Sequence, residues 1–486
     1  MSKRLPDSLR EQIESANQRH VLQWADDLSA GEHARLVAQL GVIDYSQIQE
    51  LWQQATGAAV ASEKESPQDR ARRATAPAGN VSLPDSDDDS KRWEEAREVG
   101  ESLLKAGQIG VLIVAGGEGT RLQFPHPKGM YPIGPVTDRT LFQWLAEQIL
   151  ARSRGAGRPI PCYLMTSDAT HDETVEHFRR HQFFGLPQED VYFFRQGTMP
   201  VVNLADGRLL MAGRGEIATS PDGHGGLVAA LQRAGLVDDM RRRGLKHIFY
   251  MQVDNPTVLV CDPTFLGFHA QADSEISTKV VAKRNAAEKM GVLCDVDGVT
   301  QIIEYSDMPN DVAALKDTSG KLVHWAGNTA IHCFAVDLLE RIARDAGSLP
   351  FHIARKHVSF IDEQGQLQEP TPENGKPNAC KFEKFIFDAL PLAKRTLVVE
   401  ADRSREFNPL KDRTGENSPE RVKDALTRVG RSWLTAAQVD VPERTSVEIS
   451  PLVALEETDL LELGRDEIHQ RLKWVEAPDG SGVVLS

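Results

Sequence analysis

Ile109-Gly110-Val111-Leu112-Ile113-Val114-Ala115-Gly116-Gly117-Glu118-Gly119-Thr120-Arg121-Leu122 joins a short apolar run directly to a glycine-rich turn. A run of this length bounded by glycine reads as a strand buried on both faces. Glycines in the turn let backbone N–H groups approach a phosphate or a base closely. A helical pattern follows from Thr140 to Ala151, with Leu141, Trp144, Leu145 and Ile149 on one side. Further short apolar runs recur at 161–166, 191–195, 247–253, 279–282 and 330–334, several of them separated by helical patterns. Strand–helix alternation predicts an α/β fold, with an open, largely parallel sheet covered on both faces by helices.

Two common phosphate loops do not fit the turn. The dinucleotide fingerprint needs glycine where Leu122 stands, and a P-loop would close on Gly-Lys-Ser/Thr. Arg121 instead places a permanent cation in the loop, and Pro127-Lys128-Gly129 adds a second seven residues later. Two cations at this spacing suit a polyphosphate whose charge grows during reaction.

Upstream of this unit, Ser8-x-x-Glu11 has the form of a capping box. Val21, Trp24, Ala25 and Leu28 then fall at helical spacing, and Tyr45 to Ala55 reads as a further helix. These helices are expected to dock on the main body. Residues 57–90 hold only Val60, Val81 and Leu83 as large aliphatics and end in Asp85-Ser86-Asp87-Asp88-Asp89, which reads as a solvated acidic linker. A helix from Trp93 to Lys105 leads into the buried strand. Downstream of Lys411 the chain reads as a smaller appended unit, with strands at 446–449 and 482–485. The expected domains are therefore 1–105, 106–411 and 412–486.

The 486-residue chain is 40% hydrophobic, enough for a substantial core. Its 56 Lys and Arg against 71 Asp and Glu leave a net charge of −15, which argues against general nucleic-acid binding. An anionic ligand then needs a local cationic pocket. No apolar stretch reaches membrane-spanning length and no secretory signal is visible, so a cytoplasmic protein is expected. The five scattered cysteines form no Cys-x-x-Cys pair and read as buried free thiols.

The glycine loop followed by Pro127-Lys128-Gly129-Met130-Tyr131 resembles the eukaryotic-type UDP-sugar pyrophosphorylases, most of all their N-acetylglucosamine branch. The likeness runs from about Gly110 to Leu426, with a weaker echo at Glu448-Ile449-Ser450-Pro451-Leu452. It implies a three-layer, Rossmann-like nucleotidyltransferase core with N-terminal helices and a small C-terminal domain. It also implies UTP and a sugar 1-phosphate as substrates, with Mg2+ as cofactor; no oligomeric state is assigned.

The remaining motifs acquire roles through the same resemblance. Gln196 ends a strand with an amide that can meet both edges of a base, and the family places uracil there. Ser220-Pro221-Asp222-Gly223-His224-Gly225-Gly226 is a second glycine-rich loop opening a helix. Asp254 ends the strand His247–Val253, where a carboxylate beyond a strand's C-terminal end can hold Mg2+. Lys381 is read at the start of a helix, against the helix dipole, which hints at an anion nearby. The resemblance assigns Val114, Ala115, Gly116, Gly117, Lys128, Gln196, Gly223, Asp254 and Lys381 to the nucleotide. It assigns His224, Gly291, Glu304, Tyr305, Asn328 and Lys411 to the sugar phosphate, and Arg121, Lys128 and Lys411 to catalysis.

The sugar is contested between two motifs. The acetylglucosamine branch has Asn where His224 stands, and the glucose branch has His. Glu304-Tyr305 and the run Gly327 to His332 point back to the acetylglucosamine branch and span more residues. Glucose or galactose 1-phosphate is the first alternative, and a non-catalytic nucleotide-sugar binder is the second. The cations at 121, 128, 381 and 411 argue against that second alternative, and Leu122 against a third, a dinucleotide-dependent oxidoreductase.

Overall fold

The computed structural model describes residues 5–57, 66–345, 349–373, 375–477 and 480–486. The described residues among 1–65, 196–229 and 346–388 form one compact unit, and those among 66–195, 230–345 and 389–486 form a second.

The larger unit is built on a nine-stranded sheet. Ile109–Val114 lies inside it, parallel to Cys162–Thr166 on one side and to His247–Gln252 on the other. Val191–Arg195 extends the parallel half. The other half departs from the expected parallel order. Ala326–Ala335 runs antiparallel to His247–Gln252, and Ile276–Ala282 antiparallel to Ala326–Ala335. The hairpin Val292–Val296/Val299–Ile303 completes that half, and Thr396–Glu400 pairs parallel with Ile276–Ala282. The sheet is therefore mixed. Helix Leu141–Ala156 starts where the Thr140 side chain accepts a hydrogen bond from Gln143 N–H and ends at left-handed Gly157. Its Leu141, Phe142, Leu145 and Ile149 are buried in the core that holds Ile109, Val111 and Ile113.

Residues 66–90 are not a solvated linker. Pro67–Arg73 is a short helix, and Thr75 pairs with Asp295. Val81 bonds through its backbone to Val398 and Glu400 and is buried at 3%. Asp87, Asp88 and Asp89 form the first turn of helix Asp87–Lys105, where their charge meets the positive end of the helix dipole. The remainder of that segment, 58–65, lies outside the described residues. The chain end has a core of its own, with Trp433, Leu434, Val447, Leu460, Ile468, Val483 and Leu485 beneath a three-stranded sheet.

In the smaller unit, helices Asp7–Ser15, Ala30–Gly41 and Tyr45–Thr56 bury Leu9, Ile13, Leu36, Leu40, Ile48 and Leu51 against Val202, Leu209, Met211, Ile217, Cys380 and Phe382. The capping box sits at Ser29 and Glu32, not at Ser8 and Glu11; the first helix begins before Ser8, at Asp7. Val21 and Leu28 are buried, but on a 3-10 turn (Arg19–Leu22) and bends instead of one α-helix. All five cysteines are buried and free. Among the described residues, no helix is long and apolar enough to cross a membrane.

Candidate active site

In the larger unit the site grows from two adjacent parallel strands. Val114 ends one and pairs with Gln252, which ends the other. Val253 N–H donates to Val114 O at 3.0 Å, so the chain leading to Asp254 leaves the sheet beside the glycine loop. Ala115 N–H donates to Met165 O at 2.7 Å, which fixes the loop's other flank. Gly117 O accepts from Lys128 N–H at 3.1 Å and brings the second cation back to the loop. Lys128 Nζ then reaches Asp254 Oδ2 at 3.3 Å and Leu410 O at 3.2 Å. Leu410 N–H closes the circle on Asp254 O at 2.7 Å, which sets Lys411 next to the group. Lys128 and Asp254 are 17% and 13% exposed at the side chain, so their attraction is only weakly screened. Arg121 stands exposed on the turn Thr120–Leu122, with no hydrogen bond or ion pair among the described residues. The structure thus gathers Val114 to Gly117, Lys128, Asp254 and Lys411, with Arg121 at the loop's rim.

What holds the Lys411 segment was not visible in the sequence. Asn255 Nδ2 donates to Glu406 O at 2.7 Å, and Asn408 N–H to Asn255 Oδ1 at 3.2 Å. Below them the fully buried Lys279 pairs with Asp262 at 2.7 Å and with Glu406. A lysine in an apolar strand was its only sequence signal. Glu448 is the second residue missed. Its Oε2 accepts from Val136 N–H (2.9 Å) and Thr137 N–H (2.8 Å), and its Oε1 from Arg139 at 2.6 Å. Arg139 also pairs with Glu147 at 3.0 Å. The C-terminal echo Glu448 to Leu452 thereby pins the loop that follows Lys128.

A second cluster in the same unit gathers Gly291, Glu304 and Asn328. Asn328 N–H donates to Gly291 O at 2.9 Å. A Cβ on Gly291 would lie 2.7 Å from Glu304 Oε1, so only glycine leaves that carboxylate its place. The amide oxygen of Asn328 is taken by Ala330 N–H at 2.9 Å, at a bulge where Ala330 has φ 58°. Its NH2 group is what remains to donate. Tyr305 is 50% exposed beside Glu304.

In the smaller unit the glycine loop 222–226 packs on the strand Ala379–Lys384. Asp222 N–H donates to Gly197 O at 3.0 Å, and Lys384 N–H to Asp222 O at 2.8 Å. Gly223 has φ 81°, and a Cβ there would meet Lys384 O at 2.3 Å. Gln196, Gly223, His224 and Lys381 thus belong to one unit. Lys381 lies in that strand, paired with Ala354, and not in a helix; the argument from the helix dipole falls with it. His224 Nδ1 accepts from Ile386 N–H at 3.2 Å, and the ring stacks on Phe385 at 5.2 Å. Burial, reinforced by the nearby His352 imidazole, lowers its pKa to about 4. The ring is neutral at physiological pH with its proton on Nε2, a hydrogen-bond donor.

The family model described as UTP–glucose-1-phosphate uridylyltransferase matches residues 64–458. A human protein, UDP-N-acetylhexosamine pyrophosphorylase-like protein 1, is 35% identical over 475 residues, covering 92% of each chain. The UDP-N-acetylglucosamine pyrophosphorylase of Saccharomyces cerevisiae is 38% identical over 371 residues, covering 74% of this chain and 77% of its own. The crystal structure of the uridine diphosphate N-acetylglucosamine pyrophosphorylase from Trypanosoma brucei, in complex with an inhibitor, superposes with a TM-score of 0.80 at 27% identity, covering 97% and 96% of the two chains. With a cationic glycine loop, a carboxylate at the end of the neighbouring strand and a family match over most of its length, the chain belongs to the UTP–glucose-1-phosphate uridylyltransferase family.

Proposed function

We propose that this protein transfers the uridylyl group of UTP to a sugar 1-phosphate, N-acetylglucosamine 1-phosphate in preference to glucose 1-phosphate, and releases pyrophosphate. The observation that carries the reading is the cluster of Lys128, Asp254 and the Leu410–Lys411 backbone beside the glycine loop. It puts cations and a hard oxygen donor together at the C-terminal ends of adjacent parallel strands, where α/β sheets bind ligands. The sugar-phosphate oxygen attacks the α-phosphorus in line, and pyrophosphate leaves. Arg121 and Lys128 hold the departing pyrophosphate, and Lys411 offsets the repulsion between the two anionic substrates. No covalent enzyme intermediate is needed.

Mg2+ fits the donor present. Lys128 engages one oxygen of Asp254, and the other has no hydrogen bond among the described residues. A single carboxylate with substrate phosphates is an ordinary Mg2+ set. Bound there, the ion would neutralise phosphate charge. We place the protein in the cytoplasm, consistent with five free thiols.

The names of the yeast and trypanosome relatives support the acetylated sugar. Gly291, Glu304 and Asn328 offer it a carboxylate and an amide NH2 within one cluster. His224 favours the alternative, glucose 1-phosphate. Its neutral Nε2–H is nevertheless a donor, as an asparagine amide would be, so the exchange preserves the polarity of the contact. The test is pyrophosphate release with UTP and Mg2+ on the two sugar 1-phosphates separately. Faster release with N-acetylglucosamine 1-phosphate is expected. Faster release with glucose 1-phosphate overturns the sugar assignment, and release with neither overturns the activity.

A further inference from the structure

Far from the nucleotide cluster, three residues with soft donor atoms converge. His247 opens the strand His247–Gln252, His269 lies on helix Pro263–Gln271, and Cys333 lies on Ala326–Ala335. One ligand atom from each falls within 4.8 Å of the other two. His269 and Cys333 are fully buried, while His247 is half-buried at the edge. His269 Nδ1 is held by Ser277 Oγ at 2.7 Å, and its Nε2 faces His247 Nδ1 at 3.0 Å.

We infer that His247, His269 and Cys333 form a binding site for a thiophilic divalent ion of the Zn2+ class, separate from the Mg2+ site proposed at Asp254. Three arguments support it. The donor set of one thiolate and two imidazoles is the one that selects zinc over the oxygen-seeking ions. Ser277 anchors the far nitrogen of His269, the outer hydrogen bond that fixes ring orientation and tautomer in metal-bound histidines. The spacing is also nearly right. Tetrahedral zinc, with bonds of about 2.0–2.1 Å to nitrogen and 2.3 Å to sulfur, sets its ligand atoms roughly 3.3–3.6 Å apart. The imidazoles need to part by only a few tenths of an ångström and the sulfur to close by about 1 Å, a motion within reach of a side-chain torsion.

The chemistry balances with one proton. The Cys333 S–H bond breaks, the sulfur–zinc bond forms, and the proton goes to solvent. The proton on the nitrogen that faces the metal from the His247 ring moves to its Nε2. Nδ1 and the His269 Nε2 then both present lone pairs, and water completes the fourth position from the His247 edge. The strand His247–Gln252 spans five steps of about 3.3 Å, roughly 16 Å, and Asp254 lies beyond its far end in a turn. The ion therefore takes no part in uridylyl transfer. It ties one helix to two neighbouring strands in the interior of the larger unit, and binding stabilises the folded chain.

The test uses the full chain stripped with a chelator, incubated with one equivalent of Zn2+ or Co2+ and desalted. The expected result is one ion retained per chain, a thiolate-to-cobalt charge-transfer band in the near ultraviolet, and a higher thermal midpoint. Cobalt bound at an oxygen site such as Asp254 gives no such band. Cys333→Ser should abolish the band, and His247→Gln, at the half-exposed position, should weaken retention at least tenfold. Both variants should keep wild-type pyrophosphate release with Mg2+. No ion retained by the wild-type chain, or a band that persists in Cys333→Ser, overturns the inference. Should Cys333→Ser fail to fold, unchanged retention by folded His247→Gln overturns it equally.

Discussion

Replacing Glu448 with glutamine is a nearly isosteric change that the structure makes expensive. The carboxylate receives four donors: Val136 N–H, Thr137 N–H, the Thr137 hydroxyl and Arg139. An amide has one oxygen and one NH2: turned to keep its oxygen on the two backbone N–H groups, its NH2 faces the Thr137 hydroxyl, which can rotate to accept, and Arg139, which cannot. Arg139 keeps Glu147 as a counter-ion, so the loss is not that of a stranded charge. It is the loss of the charge-assisted arginine bond, about 1.5–3 kcal/mol, plus the weakening of two backbone bonds that now end on a neutral oxygen. The sum is about 3 kcal/mol, at the lower end of the range of about 3–5 kcal/mol for breaking a buried ion pair. At a urea slope of about 3 kcal/mol per M, the midpoint should fall by about 1 M. Because the loop at 134–139 follows Lys128 directly, pyrophosphate release should fall as well, with kcat more affected than the KM for UTP. A urea midpoint and kcat equal to those of the wild type would refute the reasoning, since they would mean that Glu448 does not pin the loop.

Arg121→Ala should lower kcat by roughly 10²–10³-fold, the usual effect of removing one stabilising donor. Because its guanidinium is exposed and unpaired among the described residues, the urea midpoint should not move; a wild-type kcat would remove Arg121 from the mechanism. Lys279→Met should destabilise the larger unit by about 3–5 kcal/mol by leaving Asp262 and Glu406 facing each other without their cation, measured by urea unfolding; an unchanged midpoint would dissolve the role given to this triad. His224 and His177 are both pushed by burial from 6.5 down to about 4. Their stabilising contribution is complete above pH 6.5 and is lost as pH falls toward 4, because the unfolded chain binds the extra protons in that window. Unfolding free energy should therefore fall between pH 6.5 and 4, and His224→Asn should flatten part of that slope. Gly223→Ala should destabilise the smaller unit, since its Cβ would meet Lys384 O; normal thermal unfolding of that variant would contradict the packing described.

The glycine loop was legible because everything it needs is contiguous: a buried strand, its turn and two cations within twenty residues. The same holds for Asp254 at the end of its strand and for the helices Leu141–Ala156 and Tyr45–Thr56. What escaped depends on partners distant in sequence. Thr75 and Val81 join the larger unit through backbone bonds to Asp295, Val398 and Glu400, which hydropathy does not register. The antiparallel half of the sheet follows from how Ala326–Ala335 pairs, not from its composition. Ala379–Lys384 did carry a strand signal, with buried Cys380 and Phe382 alternating with Lys381 and Glu383. That period of two was the better guide than the apolar residues that follow.

The division of the chain into interleaved units has a consequence for synthesis. Leu9 and Ile13 share a core with Cys380 and Phe382. At the usual translation rate of about 5–20 residues per second, the first helix waits some 20 to 75 seconds for those partners to emerge. Until Val202 to Ile217 are made, helices Asp7–Ser15, Ala30–Gly41 and Tyr45–Thr56 have only one another to cover their apolar faces, and after that their core still lacks Cys380 and Phe382. These helices are thus made well before their packing is finished, and a truncation ahead of Ala379–Lys384 leaves their shared core without the strand that supplies Cys380 and Phe382.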